Sequence, residues 1–266
     1  MKLLVQGDDF GFTRAVTDGI VDSIDFGILR NTGLFANMPS AEYAVSFMKD
    51  RPQVCFGIDF NMVSGPSVCK KEDIPHLVDE EGNFIRSGVR IKDPRWKSEE
   101  GRREMFPYEE TYKELRAQYD RFVELTGKKP GYLHGHSISH EHYMEAINRI
   151  SEEEGIPYSH AIQEKYGFGS LRGMLPPNLA SQSKVFDPMV QLNKNTTRNV
   201  LDNVDKIMKY EYFNLGGHPG YIDAELLSLT TLSLERCRDA AMCMDKDIKK
   251  WVEDNHIELI TYYDLY

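Results

Sequence analysis

The chain has 266 residues, of which 41% are hydrophobic and 28% charged, an ordinary globular composition far from disordered or collagen-like extremes. Its 42 acidic against 32 basic residues give a net charge of -10, and the dispersed Lys128-Lys129 and Lys249-Lys250 form no basic stripe, which argues against a nucleic-acid partner. No apolar run approaches the roughly 18 residues of a membrane helix, no leader-like segment opens the chain, and Cys55, Cys69, Cys237 and Cys243 follow no CxxC or disulfide spacing. A soluble protein of the reducing cytoplasm is therefore expected, without a membrane partner.

In chain order, Leu3-Leu4-Val5 marks a buried strand from Lys2 to Gln6 that ends at the polar run Gly7-Asp8-Asp9. Thr13 is placed to cap a helix reaching about Phe26. Leu29 to Ala36 reads as a second strand, Ala41 to Lys49 as a second helix, and Val54 to Met62 as a third strand carrying Asp59. Residues 65–106 break this rhythm with Pro, Gly and mixed charges, so an insertion is expected there, either covering substrate or forming a solvated loop. Regularity returns with a helix through Tyr108, Tyr112, Leu115, Tyr119 and Phe122, closed by Gly127 and Pro130. Next come a strand from Tyr132 to Ile138 and a helix with Met144, Ile147 and Ile150 facing inward, ended by Gly155. Val200, Val204, Ile207 and Met208 share another helix, Phe213 to Leu215 forms a strand ending at Gly216-Gly217-His218, and a helix through Ile248, Trp251 and Val252 precedes a closing strand from His256 to Thr261. Strands alternating with helices predict an α/β fold with a mostly parallel sheet, open or closed into a barrel, in one domain spanning residues 1–266.

Polar residues collect at the C-terminal ends of these strands, where parallel α/β folds build their ligand sites. Asp8-Asp9 can be a simple turn or helix-start signal; two adjacent carboxylates after an apolar strand also suit a metal ligand beside a general base. His134 and His136, two apart on a strand, point to one side and can face a cation together, or can be hydrogen-bonded surface residues. With His140 and His142 they make up half of the 8 histidines. His142 is expected to be solvated, and His76, His160 and His256 to be structural. His218-Pro219-Gly220 either caps a strand end or presents a rigid imidazole for proton transfer. Phe10, Phe60 and Tyr132 are candidate rings for stacking against a ligand, with core packing as the plainer role.

Several segments together resemble a known family. Gly7-Asp8-Asp9-Phe10-Gly11 is similar to the ADDFG opening of the YdjC-like carbohydrate deacetylases, and Gly57-Ile58-Asp59-Phe60-Asn61 to their G-[IL]-H-[LF]-N segment. GKKPGYLHGHSISH, from Gly127 to His140, resembles GxKPTHxDSHxHxH, His218-Pro219-Gly220 matches the late HPG motif, and IELITYYDL resembles the closing strand. The resemblance spans nearly the whole chain. It implies a distorted (β/α) barrel and removal of N-acetyl groups from amino sugars or chitooligosaccharides, dependent on a divalent metal (Mg, Mn or Zn). It also implies Asp8 as general base, His218 as general acid, and Asp9 and His136 as metal ligands, and it allows a homodimer.

Two positions depart from the pattern: Asp59 stands where the family has His, and His134 where it has Asp. Asp59 then joins Asp9 and His136 as the metal set, with His134 as an alternative imidazole. Two carboxylates with one imidazole would favour harder cations than a two-histidine site. Alternatives to a deacetylase are a metal hydrolase of another acyl or sugar substrate on the same scaffold, or a non-catalytic sugar-binding relative.

Overall fold

The computed structural model describes residues 1–171, 174 and 187–266. Strand β1 (Lys2–Phe10) leads through helix α1 (Arg14–Asp25) to β2 (Asn31–Leu34), then through α2 (Ala41–Val45) to β3 (Cys55–Phe60). An insertion holding α3 (Ser87–Arg90) and α4 (Glu99–Met105) precedes the long α5 (Tyr108–Thr126), β4 (Leu133–Gly135), α6 (Glu141–Glu154), α7 (Ser159–Lys165) and β5 (Gly169–Ser170). The remainder is α8 (Thr196–Leu201), α9 (Val204–Ile207), β6 (Tyr212–Gly217), α10 (Ala224–Leu229), α11 (Leu234–Met244), α12 (Lys246–Asp254) and β7 (Glu258–Ile260), closed by a 3-10 turn from Tyr262 to Leu265.

All seven strands pair in parallel, in the order β4-β3-β2-β1-β6-β5, with β7 also on β1. β7 and β2 share one edge of β1: β7 pairs with Lys2 to Leu4, and β2 takes over from Gln6. The Asn31 amide seals that junction, donating to the carbonyls of Val5 and Ile260 while its Oδ1 accepts from the Tyr262 amide. Leu133 bridges in parallel to Tyr158 at the far edge, so the sheet curls towards closure there. The result is the expected α/β arrangement, a distorted and incompletely closed barrel among the described residues.

Strand alternation sorts the interior from the exterior. Leu3 and Val5 of β1 point out into the main core beneath the helices. Leu4 points in, joining Cys55, Tyr132, Ile162, Ile260, Tyr262 and Leu265 in a second, smaller cluster. The inner face is therefore layered: this apolar plug lies at the N-terminal ends of the strands, Gln6, Asn31 and Asn214 come next, and Asp8, Asp59 and His134 stand at the rim. Gly57 makes the plug fit, because any Cβ there would overlap the Tyr132 ring.

The helix caps follow the sequence closely. Thr13 Oγ1 accepts from the Val16 amide, and Gly127 (φ 69°) and Gly155 (φ 66°) end α5 and α6 in the left-handed conformation. Four elements differ most from expectation. β1 runs on through Phe10, so Asp8 and Asp9 belong to the strand itself; α2 stops at Val45; β4 ends at Gly135, so His136 lies beyond the strand that was expected to carry it with His134; and the helix expected across Val200 to Met208 is two short helices, α8 and α9. The insertion is no solvated loop. Ile74, Leu77, Val78 and Phe84 are buried in it, and buried Arg90 ties it together by donating to the carbonyls of His76, Leu77 and Met105. The Glu114 carboxylate of α5 holds its start by accepting from the Val68 and Cys69 amides. Arg86 reaches across to the Ser228 carbonyl at the end of α10. All four cysteines are free, and no helix among the described residues is long and apolar enough to cross a membrane.

Candidate active site

A regular strand would put consecutive side chains on opposite faces, yet Asp8 and Asp9 both serve the rim. The register between β1 and β2 slips between Gly7 and Phe10, and Asp9 sits at φ 75°, in the left-handed region that Asp tolerates better than most residues. The bulge turns the second carboxylate back into the site. Asp9 is fully buried, and its amide donates to Asp59 Oδ2 at 2.8 Å.

The two carboxylates then meet different partners. Asp9 Oδ2 accepts from Arg236 on α11 at 2.6 Å, and Asp9 Oδ1 lies 2.8 Å from His136 Nδ1. Burial alone would raise the Asp9 pKa, but His136 and Arg236 outweigh it and hold the carboxyl well below its usual range. Asp8 accepts from Gln6 on Oδ1 at 2.7 Å, while its Oδ2 stands 3.7 Å from His134 Nε2 and 3.9 Å from His218 Nε2. Burial pushes its pKa up, with the negative charge of Asp9 adding to the rise and His218 opposing it.

Asp59 and His134 are register partners on β3 and β4, so a carboxylate and an imidazole stand side by side across one ladder rung. Together with Asp8 they bring three ligand atoms within 4.8 Å of one another, a grouping able to hold a metal ion. Asp59 Oδ1 is buried with no hydrogen-bond partner, which is costly for a carboxylate oxygen unless something cationic meets it. Burial, then repulsion from Asp8 and Asp9, pushes the Asp59 carboxyl well above its ordinary range. Gly33 on β2 leaves room for that carboxylate, since a Cβ there would overlap it.

His134 Nδ1 lies 2.6 Å from Ser159 Oγ at the start of α7, which fixes the ring and leaves Nε2 for the cluster. Burial takes His134 down to about 4, so the ring is neutral and able to offer a lone pair. Ser159, His134 and Asp8 thus fall in a line like a nucleophilic triad. Ser159 is fully buried, however, and cannot reach an external substrate; its role is to orient the imidazole.

His218 leaves the end of β6 with its amide donating to Asp239 Oδ2 at 3.0 Å. Asp239 also accepts from Thr196 Oγ1 and Lys194 Nζ, so a buried polar knot anchors the turn. Burial lowers the His218 pKa, against the pull of Asp9 and Asp8.

The structure therefore gathers every expected site residue at one rim, in two groups. Asp8, Asp59 and His134 converge with His218 beside them, whereas Asp9 is engaged by both His136 and Arg236. Phe10, Phe60 and Tyr132 are fully buried and belong to the cores. His140 caps α6 through its ring nitrogen, His142 is half-buried with Nδ1 2.8 Å from the Phe106 carbonyl, and His76 contacts Glu110. Arg236, Ser159 and Asp239 were not foreseen: nothing local in LERCRDAAMCM marks its Arg and Asp as buried. Gln6 did carry a signal, being a polar residue in an otherwise apolar strand, in step with Asp8.

A family model described as YdjC-like protein matches residues 2–254. The chain is 32% identical to "Carbohydrate deacetylase 2" of Listeria innocua, covering 100% of this chain and 99% of that one. It is 25% identical to "Chitooligosaccharide deacetylase" of Proteus mirabilis, covering 99% and 98% of the two chains. Among solved structures, one from Enterococcus faecalis V583, provisionally assigned to cellobiose-phosphate cleavage, superposes with a TM-score of 0.77 at 21% identity, covering 99% and 98%, and so shares the fold. With the family model running from the first strand to the last helix and a relative matched end to end, the chain belongs to the YdjC-like family.

Proposed function

We infer that the protein is a metal-dependent deacetylase that removes the N-acetyl group of an amino sugar or chitooligosaccharide. The observation that carries the reading is the convergence of Asp8, Asp59 and His134 next to His218. The relatives named as carbohydrate and chitooligosaccharide deacetylases supply the substrate class.

The donor set fits a divalent cation: two carboxylates, one neutral imidazole anchored on its far nitrogen, and an unpartnered buried carboxylate oxygen. Asp59 and His134 would hold it, in place of the Asp9 and His136 of the sequence expectation, with Asp8 facing it as the base. A bound cation of this kind polarises an acyl carbonyl and lowers the pKa of water from ~15.7 towards ~7.

The chain's own residues handle the protons. Asp8 Oδ2, between the two imidazoles, accepts the proton of the attacking water. His218 is held neutral by burial, so it is not a ready acid at rest. The proton taken up by Asp8 charges it across the 3.9 Å separation, and His218 then protonates the leaving amine. A raised carboxylate facing a lowered imidazole brings the proton affinities of the two groups closer together. Asp9, kept ionised by Arg236, stabilises the imidazolium that forms.

The test is acetate release from a panel of N-acetyl sugars, other amides and esters, combined with metal analysis of reconstituted protein. His218→Ala should lose about 10²–10⁴-fold in turnover while keeping its metal. Asp59→Asn and His134→Ala should lose the metal, and Asp9→Asn should retain it. Metal lost with Asp9 and His136 but kept without His134 would return the ligand role to the first pair, and activity only on non-acetylated substrates would overturn the substrate class.

A further inference from the structure

Beneath the rim, five side chains from four separate segments form an unbroken polar line through the barrel interior. The Asn214 amide on β6 donates to Gln163 Oε1 on α7 at 3.1 Å. The Gln163 amide donates to the Tyr262 hydroxyl at 2.6 Å, and Tyr262 in turn donates to Gln6 Oε1 at 2.5 Å. The Gln6 amide donates to Asp8 Oδ1 at 2.7 Å. Every bond runs the same way, donor end towards Asp8.

That alignment has an electrostatic consequence. In a chain of hydrogen bonds of one sense, each donor is polarised by the one behind it, strengthening each bond by about 10–30%. The terminal amide of Gln6 therefore presents more positive charge to Asp8 than an isolated amide would. Gln6 is buried and Tyr262 fully so, leaving water little room to substitute for either. The line also decides which carboxylate oxygen is free: Oδ1 is consumed by Gln6, so Oδ2 is the one turned towards His134 and His218.

We propose that Asn214, Gln163, Tyr262 and Gln6 act as a one-way hydrogen-bond relay that positions Asp8 and supports its negative charge, with Tyr262 as the central positioning residue. The inference deepens the catalytic reading above and rests on Asp8 having the role given there. It links the closing 3-10 turn, at the opposite end of the chain from Asp8, directly to the chemistry. The turn is thereby more than a plug for the barrel floor.

The experiment compares Tyr262→Phe, Gln163→Leu and Gln6→Met in kinetics and in urea unfolding. For the relay, kcat on an N-acetyl sugar falls about tenfold for Tyr262→Phe with KM unchanged, and falls less for the more distant Gln163→Leu. A double-mutant cycle between Tyr262→Phe and Asp8→Asn, read from urea unfolding, should be non-additive, since the two residues are joined only through Gln6; unconnected sites add. A folded Tyr262→Phe within twofold of wild-type kcat, or an additive cycle, overturns the relay. Should wild type release no acetate, the catalytic reading fails while the cycle still decides the relay.

Discussion

Single residues set the electrostatics of this site, and Arg236 is the clearest case. It is fully buried against Asp9, which is itself inaccessible to water. Removing one partner of such a pair strands the other as an uncompensated charge, typically costing about 3–5 kcal/mol. Arg236→Met should therefore lose several kcal/mol in urea unfolding, and adding Asp9→Asn should recover much of it. A single variant as stable as wild type would show that the pair is not formed in solution. The pH dependence has a definite sign. Since the folded Asp9 pKa lies below its unfolded value, the pair's contribution is fully present above about pH 4 and disappears as pH falls through the folded value. Gly33 makes a second residue-level prediction. Gly33→Ala would push a methyl group into the Asp59 carboxylate, so metal affinity should fall at least about tenfold, ~1.4 kcal/mol, when measured by titration. Unchanged affinity would mean that Asp59 is not a ligand. Much of this scale was legible beforehand: Asp8, Asp59, His134 and His218 announced themselves as polar groups ending apolar strands. What the chain did not announce was their grouping, because the bulge at Asp9 is a left-handed turn at a single residue.

Secondary-structure elements tell a similar story, and the histidine at the start of α6 shows why. His140 was part of a metal-like histidine run, but its Nδ1 accepts from the Tyr143 amide, doing the work of a helix cap. Its ring lies 4.2 Å from that of Phe106, packed against the insertion. Burial drives its pKa down to about 3, so the folded state holds it neutral. The unfolded chain takes up a proton below about pH 6.5, so this group costs no stability above that pH. Below it, stability falls by about 1.4 kcal/mol per unit until the folded pKa is reached. His140→Asn keeps a side-chain cap without the titration. Between pH 6 and 4 its stability should fall less steeply than that of wild type, measured by thermal unfolding across pH; parallel curves would mean that His140 is protonated in the fold. Helices with apolar stripes, such as α1, α5 and α6, were readable from their period. α11 was not, because Glu235, Arg236 and Asp239 turn inward to serve the site and erase the amphipathic pattern.

At the scale of the whole molecule, the barrel is a graded interior, apolar at its floor and charged at its rim, and the gradient concentrates like charge. Asp8, Asp9 and Asp59 stand together with one buried arginine, and repulsion contributes to the raised pKa of both Asp8 and Asp59. A fold that gathers carboxylates in this way is less stable than it could be, a common cost of a functional site. The charge predicts two opposite responses. Adding a divalent cation at about 100 times its Kd should stabilise the native state by ~2.7 kcal/mol, a rise of roughly 5–10 °C in Tm for a chain of this size. A chelator should reverse it. Asp59→Asn should raise Tm in the metal-free protein, because it replaces a carboxyl whose ionisation is opposed by burial and by its neighbours with a neutral amide, and should abolish the further rise on adding metal. Thermal unfolding of both proteins with and without Mn²⁺ measures all four quantities. A metal-free Asp59→Asn less stable than wild type would mean that the Asp9 amide depends on that carboxylate more than the carboxylates repel one another. A variant that still gains stability from Mn²⁺ would place the cation away from the β3–β4 rung.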